Sequence, residues 1–162
     1  MTKTIDSHIF RQTMGCFATG IAVVTAHNDK FGAFGLTVNS LTSVSLDPPL
    51  ILFCIDKNAS LHAAFRRADR FAVNILAAGQ EDVSRHFASR HHHGQPKKIW
   101  DKPQGETPIL RGTLGWLLCR RHKLYAGGDH TIIVGEVVDL RKRPGAKEPL
   151  VYFHGRYRGL ES

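Results

Sequence analysis

Residues 114–142, LGWLLCRRHKLYAGGDHTIIVGEVVDLRK, decide the fold that this sequence predicts. Two long segments rich in apolar residues, 114–125 and 130–142, flank the tetrapeptide Ala126-Gly127-Gly128-Asp129. A glycine pair between such segments is typical of the tight turn that joins antiparallel strands. The stretch therefore predicts one long β-hairpin, and the rest of the chain has to supply the strands that pair with it.

Shorter strand patterns lie on both sides of this hairpin. Valine and isoleucine are concentrated in residues 21–26, 50–55 and 71–76, and a short strand is predicted at 150–153. Residues 50–55 are apolar at nearly every position, so both faces of that strand are expected to be buried. Residues 31–44 are predicted to form two short strands joined by an irregular loop.

Three short helices are predicted between the strands. Ser7 is predicted to cap the first helix, whose apolar residues share one face. Ser60 is predicted to cap a second helix over residues 61–68, and residues 81–88 are predicted to form a third. The polar residues 89–112 are the longest loop candidate, and a long loop in a compact domain is typically functional or mobile.

Many short strands and few helices favour a mainly β architecture. The pattern predicts a closed or split antiparallel barrel with short flanking helices, rather than a doubly wound parallel sheet. No G-x-G-x-x-G follows a predicted strand, and no G-x-x-x-x-G-K-[ST] is present, so a nucleotide would be held by other means. The length of 162 residues suits one domain spanning residues 1–162.

The net charge and the cysteines limit the binding partners and the cellular compartment that the sequence predicts. The formal net charge of +8 indicates anionic partners, which could be phosphate-bearing small molecules, nucleic acid or acidic protein surfaces. Cys16, Cys54 and Cys119 lie far apart in the sequence, which argues against a disulfide framework and is consistent with a reducing cytoplasm. The longest apolar run, residues 48–55, is too short to span a bilayer, so no membrane association is expected.

Two stretches carry residues suited to a nucleotide ligand. In Gly35-Leu36-Thr37-Val38-Asn39-Ser40, glycine permits close approach to the backbone, and three polar side chains offer the donors and acceptors that a flavin ring uses. The alternative is a hydroxyl-rich turn between strands. Before the second helix, Lys57 and free backbone N–H groups could attract a phosphate, although Ser60 could simply cap that helix.

Histidines supply two further candidate sites. His130 follows the glycine-rich turn of the hairpin, where it could contact a nicotinamide or tune a flavin; the alternative is a type I′ turn with an exposed histidine. The run His91-His92-His93, with His86 nearby, suggests a metal. Adjacent strand residues point to opposite faces, however, and no cysteine or carboxylate stands at ligand spacing beside the run, so no metal site is expected.

Taken together, these segments resemble the short-chain flavin reductase family, whose fold is the FMN-binding split barrel. The family includes the reductase components of two-component flavin-dependent monooxygenases. The resemblance extends over nearly the whole chain and rests on Phe17-Ala18-Thr19-Gly20, Gly35-Leu36-Thr37-Val38-Asn39-Ser40, Ser43-Val44-Ser45-Leu46-Asp47-Pro48-Pro49-Leu50, Gly128-Asp129-His130 and Gly155-Arg156-Tyr157. It implies a Greek-key, antiparallel split β-barrel.

The resemblance also implies roles for individual residues. His130 would contact the nicotinamide as the catalytic residue, and Arg156 and Tyr157 would close that side. Lys57 and Ser60 would hold the flavin phosphate, flanked by Phe87 and Arg90. The isoalloxazine and ribityl chain would be bordered by Gly35, Leu36, Thr37, Val38, Asn39, Ser40, Leu41, Cys54, Ile55 and Asp56.

By the same resemblance, the chain would transfer a hydride from NADH or NADPH to FMN or FAD. A homodimer would pass the reduced flavin by diffusion to a partner monooxygenase. Two alternatives stay open: another FMN-binding split-barrel enzyme, of the pyridoxamine-phosphate-oxidase type, and a non-enzymatic basic barrel that binds nucleic acid. Aromatic residues make up 9% and lie mostly in apolar runs, which disfavours the nucleic-acid alternative.

Overall fold

The computed structural model describes residues 4–89, 99–101, 107–145 and 148–160. Within these residues the chain forms three α-helices and ten β-strands, and a 3₁₀ turn spans Ala78–Gln80. The helices are α1 (Ser7–Gly15), α2 (His62–Arg67) and α3 (Glu81–Ala88). The strands are β1 (Thr19–Gly20), β2 (Ala22–Asn28), β3 (Gly32–Val38), β4 (Thr42–Leu46), β5 (Pro49–Asp56), β6 (Arg70–Ile75), β7 (Gly115–Gly127), β8 (His130–Lys142), β9 (Val151–Phe153) and β10 (Arg156–Arg158).

The strands form one large and one small antiparallel sheet. The large sheet has the order β3-β2-β6-β7-β8-β5-β4, and the small one has the order β1-β9-β10. Strands β6, β7 and β8 are consecutive neighbours, and β5 returns to pair with β8, which is a Greek-key arrangement. The edge strands β3 and β4 form no ladder with each other among the described residues, so the barrel is open. The mainly β, antiparallel split barrel is confirmed.

The β7–β8 hairpin forms as the sequence predicts. Gly127 pairs with His130, which leaves Gly128 and Asp129 as the two-residue turn. Gly128 has a φ of 66°, a left-handed conformation that glycine adopts without strain. Asp129 does not share that conformation, so the turn is not the type I′ turn, which needs two such residues.

Two apolar clusters hold the sheet together. In the first, Phe34, Phe53, Phe65 and Phe71 pack edge to face in a chain with ring centroids 5.0–6.1 Å apart, which fixes α2 against the sheet. Each such contact contributes about 0.5–1.5 kcal/mol beyond the area it buries. The second cluster lies on the opposite face of β2, beneath α3, and contains Ile21, Val23, Leu76, Phe87, Leu110 and Leu150.

The prediction that both faces of β5 are buried is wrong. Ile51, Phe53 and Ile55 point into the first cluster, whereas Leu50, Leu52 and Cys54 are only half-buried. The sequence pattern shows that a residue is apolar but not what covers it. This second face of β5 is therefore only partly covered.

The helices lie close to their predicted positions, but the predicted capping residues are wrong. Asp6, not Ser7, caps α1, because its carboxylate accepts hydrogen bonds from His8 N (2.7 Å) and Ile9 N (3.1 Å). The second predicted cap is also wrong: α2 begins after Leu61 with no side-chain cap, and Ser60 is exposed. Helix α3 has the predicted bounds. No helix in the described parts of the chain is long and apolar enough to cross a membrane.

Candidate functional site

Ser40 connects the loop after β3 to the half-buried face of β5. Its Oγ accepts a hydrogen bond from the backbone N–H of Cys54 at 2.9 Å. This contact bridges the opening between the two ends of the large sheet, since β3 is one edge strand and β5 neighbours the other. The loop from Asn39 to Leu41 is thereby held beside β5.

The far end of β5 is tied to the β7–β8 hairpin. Asp56 lies opposite His130 in the β5–β8 ladder, so the two side chains share a face of the sheet. Just beyond the strand, the backbone N–H of Lys57 donates to the carbonyl of Asp129 at 3.0 Å, and Lys57 Nζ donates to the carbonyl of Gly128.

These contacts align separate segments in one strip. Cys54 and Asp56 are two residues apart on β5 and point to the same face, with Cα atoms about 7 Å apart. Ser40 contacts the first of them, and His130 lies opposite the second. We call Ser40, Cys54, Asp56, Lys57 and His130 the β5 strip. Segments predicted separately from the sequence therefore meet along one strand.

A groove continues from the loop that carries Ser40. It has a volume of about 280 Å³, and Asn39 and Leu41 line it together with residues 17–22 and Ile75. Thr19 Oγ1 is buried, and among the described residues it has no hydrogen-bond partner. An unsatisfied buried hydroxyl beside the Asn39 side chain fits a ligand with a polar edge, as a flavin ring has.

His130 takes part in the main electrostatic contact at the β7–β8 hairpin. Its ring Nδ1 lies 2.7 Å from Asp129 Oδ1, and this hydrogen bond lowers the pKa of the Asp129 carboxyl. A second histidine, His62 on α2, lies 2.9 Å from the hydroxyl of Thr131. Burial, followed by the charges of Arg66 and Lys57, lowers the pKa of His62, so this ring is held neutral.

Thr37 and Tyr157 contact α3 rather than the β5 strip. Thr37 Oγ1 donates to the carbonyl of Ser84 at 2.7 Å, and the Ser84 hydroxyl lies 2.9 Å from the Tyr157 hydroxyl. The guanidinium of Arg85 lies 4.9 Å from the centre of the Tyr157 ring. These contacts fix β10 and the end of β3 against α3.

The side chain of Phe87 belongs to the second apolar cluster and does not line the groove. It is fully buried, and its ring fills the space left by the missing side chain of Gly35, where a Cβ atom would come within 2.9 Å of the ring. Val38 and Ile55 are also buried, so only their backbones could reach a ligand. Ser60 and Arg156 are exposed, whereas Arg90 and the run 91–93 lie outside the described residues.

A family model identifies the chain. The model for the flavin reductase like domain matches residues 14–161. The chain belongs to the flavin reductase family. The NADH:FAD oxidoreductase SgcE6 of Streptomyces globisporus C-1027, solved with NAD and FAD fragments, has 38% sequence identity and a TM-score of 0.89, with 99% of this chain and 98% of that chain covered.

Two curated relatives extend the comparison. The FMN reductase (NADH) SmoA of Agrobacterium fabrum is 41% identical, covering 94% of this chain and 85% of the relative. The flavin-dependent monooxygenase reductase subunit HsaB of Mycobacterium tuberculosis is 36% identical, covering 99% and 86%. Among the alternatives that the sequence left open, these flavin reductases support the reductase over the pyridoxamine-phosphate-oxidase type.

Sequence reasoning missed the contribution of Thr19 to the site. The stretch Phe17-Ala18-Thr19-Gly20 supported the resemblance to flavin reductases but was assigned no role. Only the fold shows that Thr19 lines the same groove as Asn39, because β1 pairs with the distant β9. A threonine beside a glycine, just before a strand that begins with apolar residues, is the one local signal that could have indicated it.

Proposed function

We propose that this chain is an NADH-dependent flavin reductase that reduces FMN or FAD and supplies the reduced flavin to a partner monooxygenase. The observation that carries the proposal is the β5 strip, which joins the loop containing Asn39 and Ser40 to His130 along the half-buried face of β5. A flavin and a nicotinamide would be held there without a Rossmann fingerprint. The names of the relatives support NADH as the donor and flavin as the acceptor.

The protein contributes binding and orientation. When bound, the flavin supplies the redox chemistry by accepting the hydride of the dihydronicotinamide. The Thr19 hydroxyl, the Asn39 amide and the backbone of the loop up to Leu41 would hold the polar edge of its ring. Cys54 and Asp56 would border the ring and the ribityl chain, and His130 would contact the nicotinamide. No side chain has to act as a nucleophile or a strong acid.

The net charge of +8 suits two anionic nucleotides. Positive charge raises the rate at which phosphate-bearing molecules reach a site, and this effect weakens as salt screens it. Nucleic acid is not proposed as a partner. The reduced flavin would leave by diffusion to a flavin-dependent monooxygenase, the class of enzyme to which HsaB belongs as a reductase subunit.

Two copies of the chain would associate as a homodimer. Helix α1 exposes Ile9 by 61% and Phe10 by 57%, and Phe17 just after it by 69%. A contiguous apolar surface of this kind is typical of a protein–protein interface. We assign the homodimer interface to this face of α1. The cytoplasm is the proposed compartment, because NADH is available there and the three cysteines are unpaired.

The test is an assay of the purified protein with each pairing of NADH or NADPH with FMN or FAD. Oxidation of NADH that depends on added flavin is expected, and no oxidation with either flavin would defeat the proposal. His130→Ala should raise the KM for NADH more than the KM for flavin. Equal losses for both substrates would show that His130 does not face the nicotinamide.

A further inference from the structure

The β7–β8 turn places a carboxylate against one particular nitrogen of His130. Asp129 Oδ1 and His130 Nδ1 are 2.7 Å apart. An ionised carboxylate can only accept a hydrogen bond, so the neutral ring carries its proton on Nδ1 and keeps a lone pair on Nε2. The lowered pKa of Asp129 supports ionisation of this carboxyl at neutral pH.

Among the described residues, Asp129 is the carboxylate that the structure places in hydrogen-bond contact with the His130 ring. Asp56 lies opposite His130 in the ladder, but its Oδ1 accepts a hydrogen bond from the backbone N–H of Asn58 at 2.7 Å. Lys57 fixes the hairpin tip through the carbonyls of Gly128 and Asp129. The backbone that carries the Asp129–His130 pair is therefore tied to the end of β5.

We propose that Asp129 is a positioning residue that orients His130, so that Nε2 accepts a hydrogen bond from the carboxamide NH₂ group of the dihydronicotinamide. The inference rests on the proposed function. Apart from the ribose on N1, the carboxamide is the only polar substituent on the reacting ring, and its NH₂ group is a donor that needs an acceptor. A ring protonated on Nε2 would present a donor instead, which could reach only the carboxamide oxygen.

A nicotinamide analogue separates these two arrangements. Reduced 3-acetylpyridine adenine dinucleotide keeps the carbonyl oxygen and lacks the NH₂ group. The ratio of kcat/KM for NADH to kcat/KM for this analogue is measured in the wild type and in Asp129→Ala, which removes the acceptor from His130 Nδ1. Comparison with the wild-type ratio removes the intrinsic difference in reactivity between the two donors.

Asp129→Ala should lower this ratio about tenfold, the factor that one well-placed hydrogen bond contributes. The KM for flavin should stay unchanged. Asp29→Ala, at the exposed β2–β3 turn, changes the net charge equally and should keep the wild-type ratio. An unchanged ratio in Asp129→Ala, with NADH still oxidised, would overturn the positioning role and leave the proposed function intact. A wild type that oxidises no NADH would overturn both.

Ring ¹⁵N chemical shifts test the same inference without activity. The His130 signals are identified by their absence in His130→Gln. In the wild type they should report a proton on Nδ1, and in Asp129→Ala they should move toward protonated Nε2. Identical His130 shifts in the two proteins would show that Asp129 does not set the tautomer.

Discussion

At the scale of single residues, two roles compete for the side chain of Lys57. The resemblance to flavin reductases implies that it holds the flavin phosphate, whereas the structure has its ammonium group on the carbonyl of Gly128. The sequence could supply a cation at this position, but only the register of β5 against β8 brings the β7–β8 turn within its reach. The contact favours a role at the hairpin over a role at the phosphate.

Replacing Lys57 by methionine separates the two roles. The loss of one hydrogen bond to the hairpin tip should raise the KM for NADH about threefold to fivefold. The preference for FMN over riboflavin, which lacks the phosphate, should be unchanged. Steady-state kinetics with both flavins measure the two effects. Lys30→Met, at the exposed β2–β3 turn, is the charge-matched control, and a lost preference for FMN would assign Lys57 to the phosphate.

At the scale of elements, local patterns were the most informative. The hairpin over residues 115–142 and helix α3 could be predicted because turn chemistry and short-range periodicity specify them. The incomplete burial of one face of β5 could not be predicted, because the elements that pack on a strand can be distant from it in the sequence. The absent cap at Ser60 has a similar origin: α2 is fixed by the packing of Phe65 against Phe34 and Phe53.

Helix α2 should also contribute to the pH dependence of stability. Because the pKa of His62 in the folded state is lowered from 6.5, the unfolded chain binds the proton more tightly. The contribution of His62 is therefore fully present above pH 6.5 and is lost as the pH falls below that value. Urea unfolding at pH 7.5 and at pH 5 should show a smaller loss of stability in His62→Gln than in the wild type.

His27→Gln is the matched control for His62, because His27 is an exposed histidine on β2. It should lose as much stability as the wild type between the two pH values. If His62→Gln lost just as much, the protonation of His62 would not be linked to folding.

At the scale of the whole molecule, the site depends on long-range pairing. Composition and pattern indicate an antiparallel barrel, and the resemblance indicates that it is split, but neither provides the contacts of Ser40 with Cys54 or of Lys57 with the hairpin. Those contacts depend on the pairing of β5 with β8, in which Leu50 lies opposite Glu136, 86 residues away in the sequence. Residue types at the site were thus predictable, whereas the groove at Thr19 was not.

The exposed apolar face of α1 leads to a prediction about assembly. The wild type should sediment as a species of twice the mass of one chain, and Ile9→Glu should shift it toward the monomer, because a charge at an apolar interface loses its hydration without a partner. Gln12→Glu, on the same helix, should remain dimeric. A monomeric wild type at micromolar concentration would contradict the assignment of this face to a dimer.

The most direct test of the central claim is an anaerobic titration of FMN with NADH in the presence of catalytic amounts of the protein. We expect the visible absorbance of the flavin to disappear after addition of one equivalent of NADH, far faster than without the protein. If the flavin absorbance decayed no faster with the protein than without it, for both FMN and FAD, the β5 strip would not be a site of hydride transfer.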